Sequence, residues 1–422
     1  MWLSISALAD GVIMSNWSVK NPYMTTISEN YILNGEGSRK ETRHIVFELG
    51  DSGLEYKVGD ALGVLAENPP HIVEELIEIQ GWDRDEIVTT HNGEKDLYSA
   101  LKKDFEVHMA NKKFVNSLTQ KIVSSGLKIS LNIVSRIRNG QEIENTLPST
   151  TASEDDPVSK VAAITADADA IADYLWTRDY IDIMNEFNVK YSSTEFLEIA
   201  DRLKPRLYSI ASSLDAHPGK VELTVGIVRF TYHDRARGGM CTQYLADEVD
   251  MTGKEIGVFM SPTKSFILPA DNSVNIIMVG PGTGIAPFRA FMEQRVHDNG
   301  KGKNWLFFGD QSEKTEFYYK EQIEDWLNGG HLHKFTTAWS RDQAEKIYVQ
   351  NRLKENGAEV WQWFEEGAYF YICGDKQRMA KDVHRALIEI AMEHGGMSEE
   401  DATFFIEKTM MREQKRYLRD VY

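Results

Sequence analysis

A chain of 422 residues is too long for one hydrophobic core and implies two or three domains. With 42% hydrophobic and 27% charged residues it has an ordinary globular balance, and no run approaches the roughly eighteen apolar residues of a membrane-spanning helix. A formal net charge of −18 argues against nucleic acid and anionic membrane surfaces as general partners, so any local basic cluster gains weight.

The opening MWLSISALADGVIM is mildly apolar, but it lacks the basic start and cleavage pattern of a secretory signal and is broken by Asp10. Residues 1–20 are read as an N-terminal extension, with Met14 an alternative start, and the location expected is the cytoplasm. Segments 43–50 (RHIVFELG) and 57–65 (KVGDALGVL) read as strands around turn signals. After paired prolines the pattern becomes helical, with Ile72, Leu76 and Ile79 on one face. From Asn139 to Ala172 the chain turns small, polar and acidic, as expected of a flexible connection followed by a helical piece. Strand signals return in KPRLYSIASS and in KVELTVGIVRF, where Val221, Leu223, Val225 and Ile227 alternate with Glu222 and Thr224. Strands on both sides of a helical block imply one antiparallel β domain with an inserted helical region. Past Pro269, the runs VNIIMVG, NWLFFGD, KFTTAWS and AYFYICGD alternate with helical segments, the βαβ signature of a parallel sheet. Cys241 and Cys373 lie far apart with no CxxC or His-rich spacing, which implies neither a disulfide framework nor a metal site.

The glycine-rich turn of NIIMVGPGTGIAPFRAF runs from a strand through Gly280, Gly282 and Gly284 into a helix with Pro287 in its first turn. Such a turn lets backbone N–H groups approach a pyrophosphate, although glycine is equally at home where a turn only needs positive φ. Its spacing is GxGxG and not the GxGxxG dinucleotide fingerprint. In TAWSRDQAEKIYVQ, Ser340, Arg341 and Lys346 place a hydroxyl and two cations where an adenine ribose is expected, with Tyr348 available to stack. Alone these read as a solvated charged loop; together with the glycine turn they favour NADPH over NADH.

RLYSIASS, GPGTGIAPFRAF, KNWLFFGD, AWSRDQ, KIYVQ, YICGDKQRMAKDV and RYLRDVY resemble the FAD/NADPH module of the diflavin reductases, relatives of the ferredoxin-NADP reductases. Within that family the likeness is greatest to the assimilatory NADPH-sulfite reductase flavoproteins. It runs from about Asn21 to Tyr422 and is weakest between Lys112 and Ala172. The fold implied is a two-lobed α+β protein: an FAD-binding antiparallel β-barrel over 21–268 with a helical insertion at about 69–200, then an NADPH-binding parallel α/β domain over 269–422.

The resemblance also implies roles. Arg206, Leu207, Tyr208 and Ser209 match the first flavin strand, Arg206 facing the FAD pyrophosphate, Tyr208 the isoalloxazine and Ser209 the N5 position. Thr224, Val225 and Gly226 match the second, and Gly239, Met240, Cys241 and Thr242 the pyrophosphate turn. Gly282, Thr283, Ser340, Arg341, Lys346, Tyr348, Gln350 and Asp375 fall to NADPH. Cys373 matches a thiol beside the nicotinamide, Asp420 the carboxylate that orients it, and Tyr422 an aromatic lid over the flavin. Phe230 replaces a Tyr common in the family, and His108 stands where a hydroxyl contact to FAD is frequent.

The roughly twenty residues before Asn21 are too few for the FMN domain that diflavin reductases carry, since a domain needs about 50 or more. The expectation is therefore an NADPH-dependent flavoprotein with FAD but no FMN domain, passing electrons to a sulfite reductase haemoprotein or a flavodoxin-like carrier. A general NADPH-flavodoxin or ferredoxin reductase and a non-catalytic flavin-binding scaffold are the alternatives.

Overall fold

The computed structural model describes residues 17–124, 157–249 and 253–422. In chain order its strands are β1 (Tyr23–Thr25), β2 (Ile27–Ile32), β3 (Glu41–Glu48), β4 (Ala61–Leu65), β5 (Ile87–Thr90), β6 (Gly93–Asp96), β7 (Arg206–Ser209), β8 (Lys220–Ile227), β9 (Arg229–Tyr232), β10 (Arg235–Gly238), β11 (Ile256–Ser261), β12 (Ile276–Val279), β13 (Asn304–Asp310), β14 (Lys334–Trp339), β15 (Tyr369–Gly374) and β16 (Tyr417–Val421). Two compact units emerge: Met1–Leu65, Pro205–Val228 and Leu245–Tyr422 form one, Ala66–Lys204 and Arg229–Tyr244 the other. Among the described residues no helix is long and apolar enough to cross a membrane.

The second unit is mainly helical. Its core joins Val73 and Leu76 to Phe114, Tyr180, Ile183 and Phe196. Helix Pro70–Gln80 begins on the predicted prolines and stops at Gly81, whose φ of 72° closes it in the left-handed region. The buried face centres on Val73, Leu76 and Gln80; Leu76 lies on it as expected, whereas Ile72 and Ile79 are only partly buried at its flanks. Periodicity misses this because Gln80 is polar, but both ends of its amide are satisfied: Nε2 donates to the Val189 carbonyl and Oε1 accepts from Tyr191 N. Of the stretch expected to be flexible, residues 139–156 lie outside the described residues, as do residues 1–16. Helices Pro157–Ile164 and Ala168–Leu175 follow.

In the first unit, antiparallel sheets β1-β11-β4-β7 and β2-β3-β8 are joined at a corner by the Ile210–Leu223 bridge. Strand β8 departs from its alternating sequence, because Glu222 and Thr224 are as buried as their apolar neighbours. Arg289, on helix Ala286–His297, pairs with Glu222, and Tyr319 places its hydroxyl 2.6 Å from Thr224 Oγ1. A carboxylate at a polar position of the alternation is inside because a buried cation meets it.

The parallel sheet runs β14-β13-β12-β15-β16. Ile277 and Val279 pack one face under helices Val349–Glu355 and Met379–Gly395, whereas Ile276 and Met278 pack the other against Ala286–His297. Strand β16 lacks an apolar run. It is one of the two edge strands, with β14 at the other edge, and YLRDV carries the charges that edge strands tolerate.

Arg289 is the hub of a buried charge cluster. Its Nη2 lies 2.9 Å from Glu293 Oε1, and His217 spans the two carboxylates, 3.3 Å from Glu222 and 3.2 Å from Glu293. These three ligand-type groups lie close enough for a metal ion, but the guanidinium already supplies the positive charge. His44 adds its Nε2 3.5 Å from Glu222 and its Nδ1 3.1 Å from the Tyr319 hydroxyl. The hydrogen bond to Glu293 raises the His217 pKa, whereas burial and then Arg289 lower that of His44 to about 3.

The two histidines bias stability in opposite directions. His217 stabilises fully below the ordinary histidine value of 6.5, and its contribution is lost as pH rises through the raised value. His44 is favoured neutral, so its share is lost as pH falls from 6.5 towards 3. We expect the melting temperature to decline on the alkaline side of pH 6.5 and His217→Gln to flatten that decline. An unchanged slope in a thermal-shift series from pH 6 to 9 refutes the assignment.

Candidate functional site

Strand β7 carries Arg206, Leu207, Tyr208 and Ser209 and pairs with β4, with Ser209 opposite Ala61. Leu207 is exposed, an apolar side chain displayed on a polar edge. Thr224 and Val225 are buried in β8, Thr224 engaged by Tyr319. A side chain at Gly226 would come within 3.3 Å of Thr283 Cγ2, so this glycine lets the second predicted flavin strand approach the glycine turn of the parallel lobe.

The Ser209 hydroxyl donates to Asp420 Oδ2 at 2.5 Å, and the Cys373 thiol donates to the same oxygen at 3.7 Å. The second contact follows from register: Cys373 in β15 and Asp420 in β16 are direct partners. Strand β16 thus explains what holds the last residues. The Tyr422 amide donates to the Gly374 carbonyl, its carbonyl accepts from Lys376 N, and its hydroxyl lies 3.0 Å from Thr283 Oγ1. Tyr422 as a residue remains 63% exposed. Cys373 is fully enclosed, and burial, followed by the Asp420 charge, pushes its thiol well above the usual range. The thiol is therefore a hydrogen-bond donor and not a nucleophile.

The other predicted set converges as well. Gly282, Ser340, Arg341, Lys346, Tyr348, Gln350 and Asp375 line one cavity of about 480 Å³ at the carboxyl ends of the parallel strands. Gly282 has a φ of 59°, and the turn leads through a short 3-10 segment into helix Ala286–His297. Gly284 serves packing: a Cβ there would meet the Cys373 carbonyl oxygen at 2.2 Å. Its lining combines cations with the partly exposed Gly282, a chemistry suited to phosphate groups. Asp375 is turned to capping, accepting from Arg378 N at 2.6 Å and Met379 N at 3.0 Å, which holds its carboxyl below the usual range.

Sequence reasoning missed Lys40, Asp310, Arg378 and Asp382 in the same wall. Asp382 and Arg378 lie in the quoted YICGDKQRMAKDV run, where helical spacing from Asp375 was the available signal. Lys40 had none.

The remaining predicted FAD positions belong to the helical unit. Phe230 is on β9 and exposed, and His108 lies 3.5 Å from Glu106. Gly239 precedes a short helix, Met240 and Cys241 are buried, and the Thr242 hydroxyl donates to the Gly239 carbonyl at 3.0 Å. This turn ends a hairpin anchored by ion pairs. Arg235 reaches Glu75, Asp179 and Asp182, and Arg237 reaches Asp179 and Asp182. No motif had pointed to that clamp.

Residues 15–244 match the family model described as FAD binding domain, more than half of the chain. The chain belongs to this family. Residues 278–385 match the oxidoreductase NAD-binding domain, which takes in the glycine turn and most of the cavity wall. The chain is 40% identical over 420 residues to the sulfite reductase [NADPH] flavoprotein alpha-component of Pectobacterium atrosepticum, covering 100% of this chain and 63% of that protein. It is 39% identical over 407 residues to the protein of that name from Mannheimia succiniciproducens, covering 96% of this chain and 62% of the relative. A Bacillus subtilis relative of the same name is 39% identical over 411 residues, covering 97% and 62%. The chain thus spans a little over three fifths of the relatives' length.

Enclosure of both thiols has a direct readout. In the native protein at pH 8 we expect neither Cys373 nor Cys241 to react with a disulfide reagent within minutes, and both to react after unfolding. Rapid native labelling of Cys373 overturns the buried-donor assignment.

Proposed function

We propose that this chain is the electron-entry module of a sulfite reductase flavoprotein, taking electrons from NADPH onto FAD and passing them to a partner protein. The observation that carries this reading is the Ser209–Asp420–Cys373 constellation, next to a glycine turn that opens on a cationic cavity. The functional division adopted is FAD binding over 21–268, with the insertion at about 69–200, and NADPH binding over 269–422.

Bound FAD supplies the acceptor for hydride from NADPH and releases the electrons singly. The chain's own residues hold and orient. Arg206, Tyr208 and Thr224 to Gly226 are assigned to the flavin, with Gly239 to Thr242 taking its pyrophosphate on backbone N–H groups. Phe230 and His108 complete the flavin assignment. Arg341, Lys346 and Ser340 are assigned to the 2′-phosphate, Tyr348 to the adenine, and Gln350 and Asp375 to the rest of the nucleotide. Ser209 and Cys373 both donate to Asp420, which fixes the hydroxyl and thiol in place before the coenzyme arrives. Asp420 provides negative charge where a positive nicotinamide develops. Tyr422 must leave Thr283 for the ring to clear the site.

The partner proposed is a sulfite reductase haemoprotein, met directly or through a flavodoxin-like carrier. Cys241 and Cys373 are buried and form no disulfide among the described residues, which accords with a reducing, cytoplasmic location. A general NADPH-flavodoxin or ferredoxin reductase shares the same chemistry on this module and is separated by the partner.

The purified protein should be yellow and bleached by NADPH but not by equimolar NADH. Adding a sulfite reductase haemoprotein should give sulfite-dependent NADPH oxidation; activity with flavodoxin and none with the haemoprotein, with or without a carrier, selects the general reductase. Asp420→Asn should slow flavin bleaching in stopped flow roughly tenfold to a hundredfold with flavin content retained. Deleting Tyr422 should keep FAD bound, alter nicotinamide affinity and relax the preference for NADPH over NADH. Unchanged kinetics with both coenzymes counts against the lid.

A further inference from the structure

The ion pairs that anchor the β9–β10 hairpin hold more than the hairpin itself. Among the described residues these two strands pair only with each other, and a two-stranded ribbon outside any larger sheet is marginal on its own. Its two-residue turn, His233 and Asp234, takes positive φ at both positions, 50° and 58°, where glycine is the easier fit. Placement of the hairpin therefore falls to its side chains.

Register puts the deciding side chains on one face. Arg235 stands opposite Tyr232 and Arg237 opposite Phe230, so both guanidinium groups share a side with the two half-exposed aromatics. Spaced by two along the strand, the arginines reach the same helix start. Arg235 places Nη1 3.0 Å from Asp179 and 2.9 Å from Asp182, and Nη2 2.7 Å from Glu75. Arg237 places Nη1 2.6 Å from Asp179 and pairs Nη2 with both oxygens of Asp182. The two aspartates are oriented independently of the hairpin. Asp179 caps helix Tyr180–Phe187, with Asp182 N donating to Asp179 Oδ1 and Asp179 N to Asp182 Oδ2, each at 2.9 Å.

We propose that Arg237, backed by Arg235, is a positioning residue for FAD: it holds Phe230, directly across the ribbon, and the turn Gly239–Thr242, two residues further on, in place for the cofactor. This rests on the assignment of Phe230 and that turn to FAD. Each guanidinium nitrogen of Arg237 already meets Asp179, Asp182 or the Tyr232 carbonyl, so the residue acts through its neighbours and not by touching the cofactor. Gly238, between Arg237 and the turn, is closed against Gln243, whose side chain a Cβ would meet at 2.2 Å. A displaced Arg237 therefore displaces the turn. A lysine in its place keeps the charge but loses the planar fork that engages two carboxylates at once.

Titration of the FAD-free full chain with FAD, followed by flavin fluorescence, measures affinity, and thermal melting of the same FAD-free protein measures the fold. Arg237→Lys should weaken FAD roughly tenfold. The FAD-free variant should melt within about 2 °C of the wild type, because Asp179 and Asp182 still cap their helix. Asp182→Asn, which keeps a capping oxygen, should weaken FAD less, and the double variant should lose less than the two single losses combined, as residues acting through one contact do. Unchanged FAD affinity in both single variants, or a loss of affinity accompanied by a lower melting temperature of the FAD-free protein, overturns the proposal. Should Arg237→Lys fail to fold, Asp182→Asn alone decides by the same two readouts. Wild-type protein that binds no FAD overturns the flavin reading itself, and the proposal with it.

Discussion

The buried guanidinium of Arg289 fixes the working parts of the first unit. It donates to the Ala211 carbonyl at 2.7 Å, two residues beyond Ser209, and to Gln322 Oε1 at 2.7 Å, while pairing with Glu222 and Glu293. The helix that carries it begins directly after the glycine turn. One side chain therefore ties the strand presenting Ser209 to the turn presenting Thr283. A buried cation with two carboxylates is costly to desolvate and strongly destabilising to break, so it serves positional definition more than net stability.

That definition matters because the site is assembled from segments far apart in the chain. Ser209 comes from an antiparallel strand and Asp420 from the edge of the parallel sheet, yet their oxygens lie 2.5 Å apart. A shift of about 1 Å between the two sheets would lengthen this bond beyond use. Sharing Asp420 between a hydroxyl and a thiol also keeps the carboxylate's orientation independent of solvent.

Much of this was legible in the sequence where local physics and burial agree. The parallel strands announced themselves because both faces are covered, leaving uninterrupted apolar runs such as Ile276–Val279. The cavity wall after β14 was legible because hydroxyl, cations and aromatic fall within a few residues. Reading fell short where the partner was distant: the alternation did not show that Glu222 and Thr224 are buried, because nothing nearby in sequence names Arg289 or Tyr319, and Lys40 sits 270 positions from Asp310. Strand β16 was not read as a strand because an edge position removes the apolar pattern, although Asp420 within it and Tyr422 just after it were identified through the family motif.

Between helix Met379–Gly395 and β16 the chain winds through Phe405–Glu413, a π-helical stretch whose wider turn accommodates its residues differently from an α-helix. Side chains alternate along a strand, so the length of this connection fixes which residue of β16 stands beside Cys373. A one-residue register slip of β16 would bring Arg419 or Val421 opposite Cys373 and exchange Tyr417 and Leu418, which are buried in cores on opposite faces of the sheet. The meeting of Asp420 with Cys373 and Ser209 is thus encoded partly as a distance along the chain, and length variation in this connector is expected to break it more readily than most substitutions within it.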